Sequence, residues 1–464
     1  MGMQNIFPAC KVLLPDNLRR VAKLSIANHA ELFWVRYFTN LSYKNFSIDS
    51  NFYPLGSCSM KYNPKIMQSI ANYIADLHPM APAESTQAIL QCLYDLGKLL
   101  EKITGMAGHS LAPMAGANGE WAGMAMIRSY HLSRGEGHRN VVLIPDAAHG
   151  TNPATAALCG YKVVVVPTKA DGDLDLAALR AELNENVAAV MLTNPSTLGV
   201  FERDILTITK LVHAVGAQMY YDGANLNAIV CRVKPYAMGF DVMHINTHKT
   251  FATPHGSGGP GAGPITCAKH LVDFLPRPRV VKAGDAYKWC VDYELSIGRM
   301  GRFYGNVGIL LQALVYIKLH GERGLYEVSE IASLNANYLQ ARLLQEGFAI
   351  AFPERRASHE FIVHFQQWKK QYNVSALDVA KRLLDYKIHS PTMYFPQLVA
   401  ECMLIEPTET ESLATLDNFI NTMVLIKQEV ESNSELVKTA PHNVSVSRVD
   451  EVAAARNLEL CSCG

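Results

Sequence analysis

The sequence predicts an α/β protein: a mainly parallel central sheet covered by helices, then a smaller α+β region at the C-terminal end. Three observations carry this. Between about residues 108 and 271, short β-branched runs alternate with helical ones. Those runs are apolar nearly throughout, as strands buried on both faces are, rather than at every second residue. After Phe348 the alternation gives way to mixed strands and helices that end in one long amphipathic helix.

The elements follow in order. Residues 18–37 and 87–103 carry apolar side chains at helical spacing, the second with Ile89, Leu90, Leu93, Leu96, Leu99 and Leu100 near one face. Between them Asn51-Phe-Tyr-Pro-Leu-Gly-Ser-Cys-Ser-Met-Lys-Tyr-Asn-Pro64 has no period and reads as an ordered loop. Strands are expected at 140–145, 162–167, 187–193, 217–222, 241–246 and 264–268, with helices at 154–159, 176–183 and 204–215. A helix over 305–319, strands near 350–352 and 361–365, and a capping box at Thr408-Glu-Thr-Glu411 opening the last helix complete the reading. The expected divisions are 1–105 (helical segment and loop), 106–325 (large domain) and 326–464 (small α+β domain).

With 464 residues, 49% of them hydrophobic, the chain can bury a large core. Lys plus Arg (42) balances Asp plus Glu (42), which argues against a broad electrostatic footprint for nucleic acid or an anionic membrane. No run approaches the roughly 20 apolar residues of a membrane span. Lys11, Asp16, Arg19 and Arg20 leave no apolar leader at the start, so a cytoplasmic protein is expected. The ten cysteines are scattered and read as reduced thiols; Cys461 and Cys463 read as part of a frayed tail.

Parallel sheets bind ligands beyond the carboxyl ends of their strands. There the sequence places Asp222, Lys249 and His149, and a glycine-rich helix start at Ala115-Gly-Ala-Asn-Gly-Glu120. Together they suit pyridoxal phosphate. The lysine forms a Schiff base with the aldehyde, the aspartate keeps the pyridine nitrogen protonated, the imidazole stacks on the ring, and helix-start N–H groups take the phosphate. Each has an ordinary reading as well: a surface lysine, an Asp-Gly turn, a plain loop, and a helix cap at Thr151 or Asn152 before Pro153. Their agreement in placement is what favours the site. Two motif matches fail on context. Gly256-Ser-Gly-Gly-Pro-Gly261 fits a dinucleotide motif literally, but a strand rather than a helix follows. His244 and His248 have zinc-pair spacing, but residues 242–247 read as strand, so no metal site is expected.

These residues resemble one family closely, the glycine decarboxylase P-protein, in its subunit 2 form. The resemblance rests on residues 51–64, His149-Gly-Thr-Asn-Pro-Ala-Thr155, Thr193-Asn-Pro-Ser-Thr-Leu-Gly199, Tyr221-Asp-Gly-Ala-Asn-Leu-Asn227, His248-Lys-Thr-Phe251, Tyr304-Gly-Asn306, Pro391-Thr-Met-Tyr-Phe-Pro396 and Ile405-Glu-Pro-Thr-Glu-Thr-Glu-Ser412. It implies the aspartate-aminotransferase fold, fold type I, with pyridoxal phosphate bound as a Schiff base on Lys249. It implies decarboxylation of glycine and transfer of the aminomethyl group to the lipoyl disulfide of an H-protein, in a heterotetramer with two copies each of this chain and a related subunit 1. Carried over by position, Lys249, Asp222 and His149 are catalytic, and Ala117, Asn118 and Gly119 cradle the phosphate. Thr193 and His248 are further cofactor contacts. Tyr53, Ser57, Cys58, Ser59 and Lys61 are expected near the glycine or lipoyl access route. Ser59 stands where the family commonly has Thr, and Ser257 where Gly is common. Two rivals stay open at this level: another fold-type I decarboxylase or transaminase, and a non-catalytic scaffold subunit.

Overall fold

The computed structural model describes residues 15–18, 22, 27–78, 81–255 and 261–458. The Cys461/Cys463 tail, Ser257 and much of the 256–261 glycine motif lie outside the described residues. The chain divides into two units, 1–45 and 46–464. In the first, a helix spans Glu31–Ser42; Ala30 is extended, and Glu31 supplies the acidic first turn that suits a helix start, while residues 19–21 and 23–26 of the helix expected over 18–37 lie outside the described residues. Its rings contact one another, with Phe33 and Tyr37 stacked at 6.2 Å.

The second unit is built on a seven-stranded sheet. Its strands are β1 (Gly108–Ser110), β2 (Val141–Pro145), β3 (Lys162–Val166), β4 (Val187–Thr193), β5 (Gln218–Asp222), β6 (Val242–His244) and β7 (Ile265–Cys267), in the order β1-β7-β6-β5-β4-β2-β3. Neighbours from β3 across to β6 run parallel, while β7 is antiparallel to both β6 and β1. Every residue of β4 and β5 is buried, which explains the apolar run of β4 up to Thr193 and the apolar middle of β5 between Gln218 and Asp222. Successive residues point to opposite faces. Leu143, Val190 and Met219 join a core with Leu90, Leu93, Leu96 and Leu100 of the helix Gln87–Thr104. Val142, Ala189 and Tyr220 join the opposite core with Met126 and Ile127 of the helix Gly116–Ser133. The short β1, Gly-His-Ser, carries no β-branched residue and gave no strand signal. Residues 242–247 are not one strand: β6 stops at His244, and Thr247–Thr250 makes a helical turn.

A β-ribbon of β8 (Arg279–Ala283) and β9 (Ala286–Cys290) follows. The helix expected over 305–319 runs on through Val307–Gln345, interrupted where Gly321 takes φ 61°. It leads into an antiparallel sheet of β10 (Ala349–Ile350), β11 (Phe361–His364), β12 (Thr392–Met393) and β13 (Cys402–Ile405), ordered β10-β11-β13-β12. The final long helix, Leu413–Lys438, starts one residue after Ser412, whose hydroxyl accepts from Thr415 N at 3.2 Å. The expected capping box at Thr408 is absent because Thr408 has φ 65°, whereas a capping residue needs an extended backbone. A capping box does form at Ser375 and Asp378.

The aromatic loop of residues 51–64 attaches to this small sheet. Phe52 belongs to its core, Gly56 N donates to Leu404 O (3.2 Å), and Glu406 N donates to Pro54 O (3.3 Å). The loop thereby joins the small sheet to residues of the large one: Lys61 Nζ donates to Thr250 O at 3.0 Å.

Candidate active site

Parallel register brings the chemistry to one edge. Thr193 ends β4 directly beside Asp222, which ends β5. Gly223 follows because a side chain there would stand 1.8 Å from His244 O. The chain turns at once, and Asp222 Oδ1 accepts from Ala224 N at 3.0 Å. Asp222 is buried, and behind it lies a polar network that no local pattern announces. Asn152 Nδ2 donates to Asp222 Oδ2 and to Glu120 Oε1, both at 3.0 Å. His244 Nε2 lies 3.6 Å from Asp222 Oδ1 and donates to Asn246 Oδ1 at 2.9 Å, and its Nδ1 meets the Tyr220 hydroxyl at 2.5 Å. Burial alone would raise the Asp222 pKa, but His244, Asn152, Lys249 and the Ala224 N–H outweigh it, so the carboxyl is held below its usual range. Glu120 moves the other way, raised by burial and then by Asp222. Two neighbouring carboxyls are thus pushed apart, one kept ionised and one disposed to be neutral. Asn152 is therefore not the helix cap its sequence position suggested; its side chain faces inward, and Gly150 precedes the helix Thr151–Leu158.

Lys249 lies in the turn Thr247–Thr250, partly exposed at the crevice. Its charge reaches Asp222, His149, His248, Cys58 and Glu360, which ties these groups to one site. His149 is an exposed ring at the mouth, with Nδ1 2.9 Å from Thr151 Oγ1 and an edge contact to Phe395 at 5.6 Å. Desolvation and then Lys249 lower its pKa, against Asp222. His248 is driven down to about 3, chiefly by burial and then by His255, so its ring is neutral.

The glycine-rich segment opens the helix Gly116–Ser133 as expected from its sequence. Ala115 is extended, and the first hydrogen bond back into the turn is Gly119 N to Ala115 O at 2.9 Å. The N–H groups at the helix start therefore point outward, with Ala117 exposed and Asn118 half-buried, the arrangement that receives an anion. Gly119 packs against the strand floor: a Cβ there would lie 2.5 Å from Gly263 O and 2.9 Å from His244 Cβ.

The aromatic loop forms another wall. Tyr53 stacks on His389 at 3.6 Å. Ser57 and Ser59 flank Cys58 with φ of 65° and 51°, conformations that non-glycine residues adopt only when held. Here Glu360 and Glu406 hold them: Ser57 N donates to Glu360 Oε2 at 2.6 Å and Ser59 N to Glu406 Oε2 at 2.9 Å. The Cys58 thiol is pushed up to about 11 by burial, so it stays protonated. Lys61, expected at an access route, is instead buried, its ammonium committed to Glu409 at 2.8 Å and to Thr250 O. Sequence reasoning missed Asn152, Glu120, His244, Glu360 and Glu406. Asn152, Glu120 and Glu406 stand inside motifs already singled out, and His244 was weighed only as half of a zinc-spaced pair, but their side-chain partners could not be read there.

The chain matches curated relatives over nearly its whole length. It is 54% identical over 451 residues to a "Probable glycine dehydrogenase (decarboxylating) subunit 2" of Coxiella burnetii, covering 96% of this chain and 92% of that one. The chain belongs to the glycine dehydrogenase (decarboxylating) subunit 2 family. Relatives with the same description from Thiobacillus denitrificans (54% over 452 residues, 96% and 93% covered) and Francisella philomiragia (53% over 451 residues, 96% and 94% covered) agree. The glycine dehydrogenase C-terminal domain profile matches residues 328–447, and the class-V aminotransferase profile matches residues 120–259. Among solved structures, a glycine decarboxylase (P-protein) of the glycine cleavage system superposes with a TM-score of 0.74 at 20% identity, covering 89% of this chain and 93% of that one. A Lactobacillus brevis glutamate decarboxylase reaches 0.67 at 13% identity, covering 89% and 96%. These structural likenesses establish the fold, that of the fold-type I pyridoxal-phosphate enzymes. In this subunit 2 chain the class-V region contains Asp222, Lys249, His149, Thr193 and His248 together.

Proposed function

We propose that this chain is the cofactor-carrying subunit of a glycine decarboxylase, with pyridoxal phosphate held on Lys249, working in the cytoplasm with a subunit 1 chain and a lipoyl-bearing H-protein. The observation that carries the reading is the convergence of Lys249, a buried ionised Asp222 and an open helix start in one crevice of a subunit 2 chain. The residues fit the cofactor. Thr193 Oγ1, His248 Nδ1 and Asn152 Oδ1 are buried around the crevice with no hydrogen-bond partner among the described residues, and such atoms call for one. The helix start at 116–118 offers N–H donors for a phosphate.

When bound, the pyridine ring supplies an electron sink for the pair released as the carboxylate of glycine leaves as CO2. The chain's own residues do the rest. Asp222, kept ionised by His244 and Asn152, holds a proton on the ring nitrogen. Lys249 anchors the aldehyde carbon, and His149 covers one face at the mouth. His248, neutral at physiological pH, adds no charge that would compete with the ring nitrogen for Asp222. The loop of Tyr53 to Lys61 closes the wall that faces the small sheet and excludes water there. The retained lysine and aspartate favour this reading over a scaffold subunit.

The test is borohydride reduction of the purified chain followed by peptide mass mapping. A cofactor-sized adduct on Lys249 is expected; no adduct after incubation with pyridoxal phosphate would overturn the reading. Glycine–bicarbonate exchange should require subunit 1 and lipoyl H-protein as well, and exchange without subunit 1 would sink that part.

A further inference from the structure

The register of the small sheet pairs Phe361 with Ile405. One step outward, Glu360 and Glu406 face each other as the residues that flank the pair. Both are almost completely buried, and one oxygen of each lies within 4.8 Å of the other and of a His359 ring nitrogen. Like charges directly opposite on adjacent strands repel, and two buried carboxylates this close do not both ionise. The neighbours do not neutralise them. His359 is fully buried and pushed towards its neutral form by that burial, with Nε2 3.9 Å from Glu360 Oε1 and 3.8 Å from Glu406 Oε1. Lys61 is spent on Glu409. The Cys58 thiol stays neutral, and His255 is pushed down by burial and by Lys249. Lys249 is the cation that acts on Glu360, and it belongs to the reacting centre. Glu406 accepts from Ser59 N and from the Ser59 hydroxyl, and Asn227 Nδ2 approaches it at 3.4 Å. Glu360 has one backbone donor, on Oε2, and its Oε1 has no hydrogen-bond partner among the described residues. The proton is assigned to Glu360, the member with fewer donors, which burial and then Glu406 raise well above the usual range.

The reaction in the proposed function consumes a proton. The bond from the α-carbon to the carboxylate breaks and CO2 leaves. The electron pair ends in a new carbon–sulfur bond to one sulfur of a cyclic disulfide. The sulfur–sulfur bond breaks, and the second sulfur departs as a thiolate that needs a proton. We propose, resting on that function, that the Glu360–Glu406 pair stores one proton beside Lys249 and that Glu360 delivers it to this leaving sulfur. The pair is then doubly charged and regains its proton from solvent, which closes the balance. Holding Ser57 and Ser59 is the same pair's structural work, so a test must separate the two roles.

Gln at either position keeps an oxygen to accept from the loop and cannot release a proton. The first measurement is the infrared carbonyl band of a neutral carboxylic acid, in the chain with and without cofactor. A component of that band at pH 7 is expected in the wild type that Glu360→Gln removes, leaving any Glu120 component in place, and that titrates away at lower pH in Glu406→Gln, where the like charge is gone. The second is glycine-dependent thiol release from lipoyl H-protein with subunit 1 present. It should fall about 100-fold in Glu360→Gln, the scale of a lost general acid, and lose its decline at high pH, while the cofactor absorbance stays as in the wild type. No such wild-type component at pH 7, or thiol release at the wild-type rate in Glu360→Gln, overturns the proposal. If Glu360→Gln does not fold, an unmoved band in Glu406→Gln overturns it. Wild-type enzyme that releases no thiol with glycine would instead refute the proposed function, with the stored proton still measured on its own.

Discussion

Asn152→Leu tests the network behind Asp222. The exchange keeps side-chain volume and deletes the Nδ2 group that donates to Asp222 and Glu120, both at 3.0 Å. Hydrogen bonds to charged groups contribute about 1.5–3 kcal/mol each. Asn152 Oδ1 has no partner among the described residues, so its loss breaks no hydrogen bond there. Glu120, already raised, escapes part of its loss by protonating. The expected destabilisation at pH 7 is therefore about 2–4 kcal/mol, read as a drop in the urea midpoint of the cofactor-free chain. The sign with pH follows from the two carboxyls. Asp222 has a depressed folded pKa, so its contribution is present above its unfolded value and lost as pH falls through the folded one. The variant raises that folded pKa, so its protonation begins at higher pH than in the wild type. Glu120, with its folded pKa raised, is the group that protonates first as pH falls. The deficit should therefore narrow from pH 7 to pH 5. A deficit that stays constant with pH would mean that the loss is packing, and an unchanged midpoint at pH 7 would refute the network outright.

Three further outcomes are expected. Gly119→Ala places a Cβ 2.5 Å from the Gly263 carbonyl, a backbone atom that cannot swing away, so pyridoxal phosphate affinity measured by absorbance titration should fall at least about 10-fold; wild-type affinity would show that the cradle lies elsewhere. Lys61→Met leaves Glu409 buried without its partner and should cost about 3–5 kcal/mol in urea unfolding, with Lys61→Met/Glu409→Leu recovering most of it. The folded pKa of Lys61 is raised, so its contribution persists through neutral pH and disappears only as pH rises through that value; a double variant as unstable as the single one would place the cost in packing. Cys58, pushed up to about 11, should alkylate slowly with iodoacetamide at pH 7.5 and speed up towards that value; rapid labelling at pH 7.5 would contradict its environment.

The sequence by itself determined the architecture of the central sheet and which residues stand at the carboxyl ends of its strands. β4 is buried on both faces, so it reads as an apolar run up to Thr193; β5 is apolar between Gln218 and Asp222, and the residues that end the two strands, Thr193 and Asp222, are found by counting. Lys249 was picked out because it follows an expected strand, and the glycine-rich start at 115–120 because helix starts demand particular residues locally. Boundaries failed where local signals compete, as at Thr408, whose left-handed backbone overrules its capping pattern.

Only the tertiary structure decided which polar groups share a charge. Asn152 reaches Asp222 across 70 residues, and Ser59 reaches Glu406 across 347. Nothing near either residue in the chain records its partner, because a buried carboxyl takes its protonation state from what surrounds it in space. Whether Asp222 is ionised, Glu360 neutral and Lys61 committed is a matter of burial and distance. Those quantities exist only once the loop of residues 51–64 has closed between the two sheets.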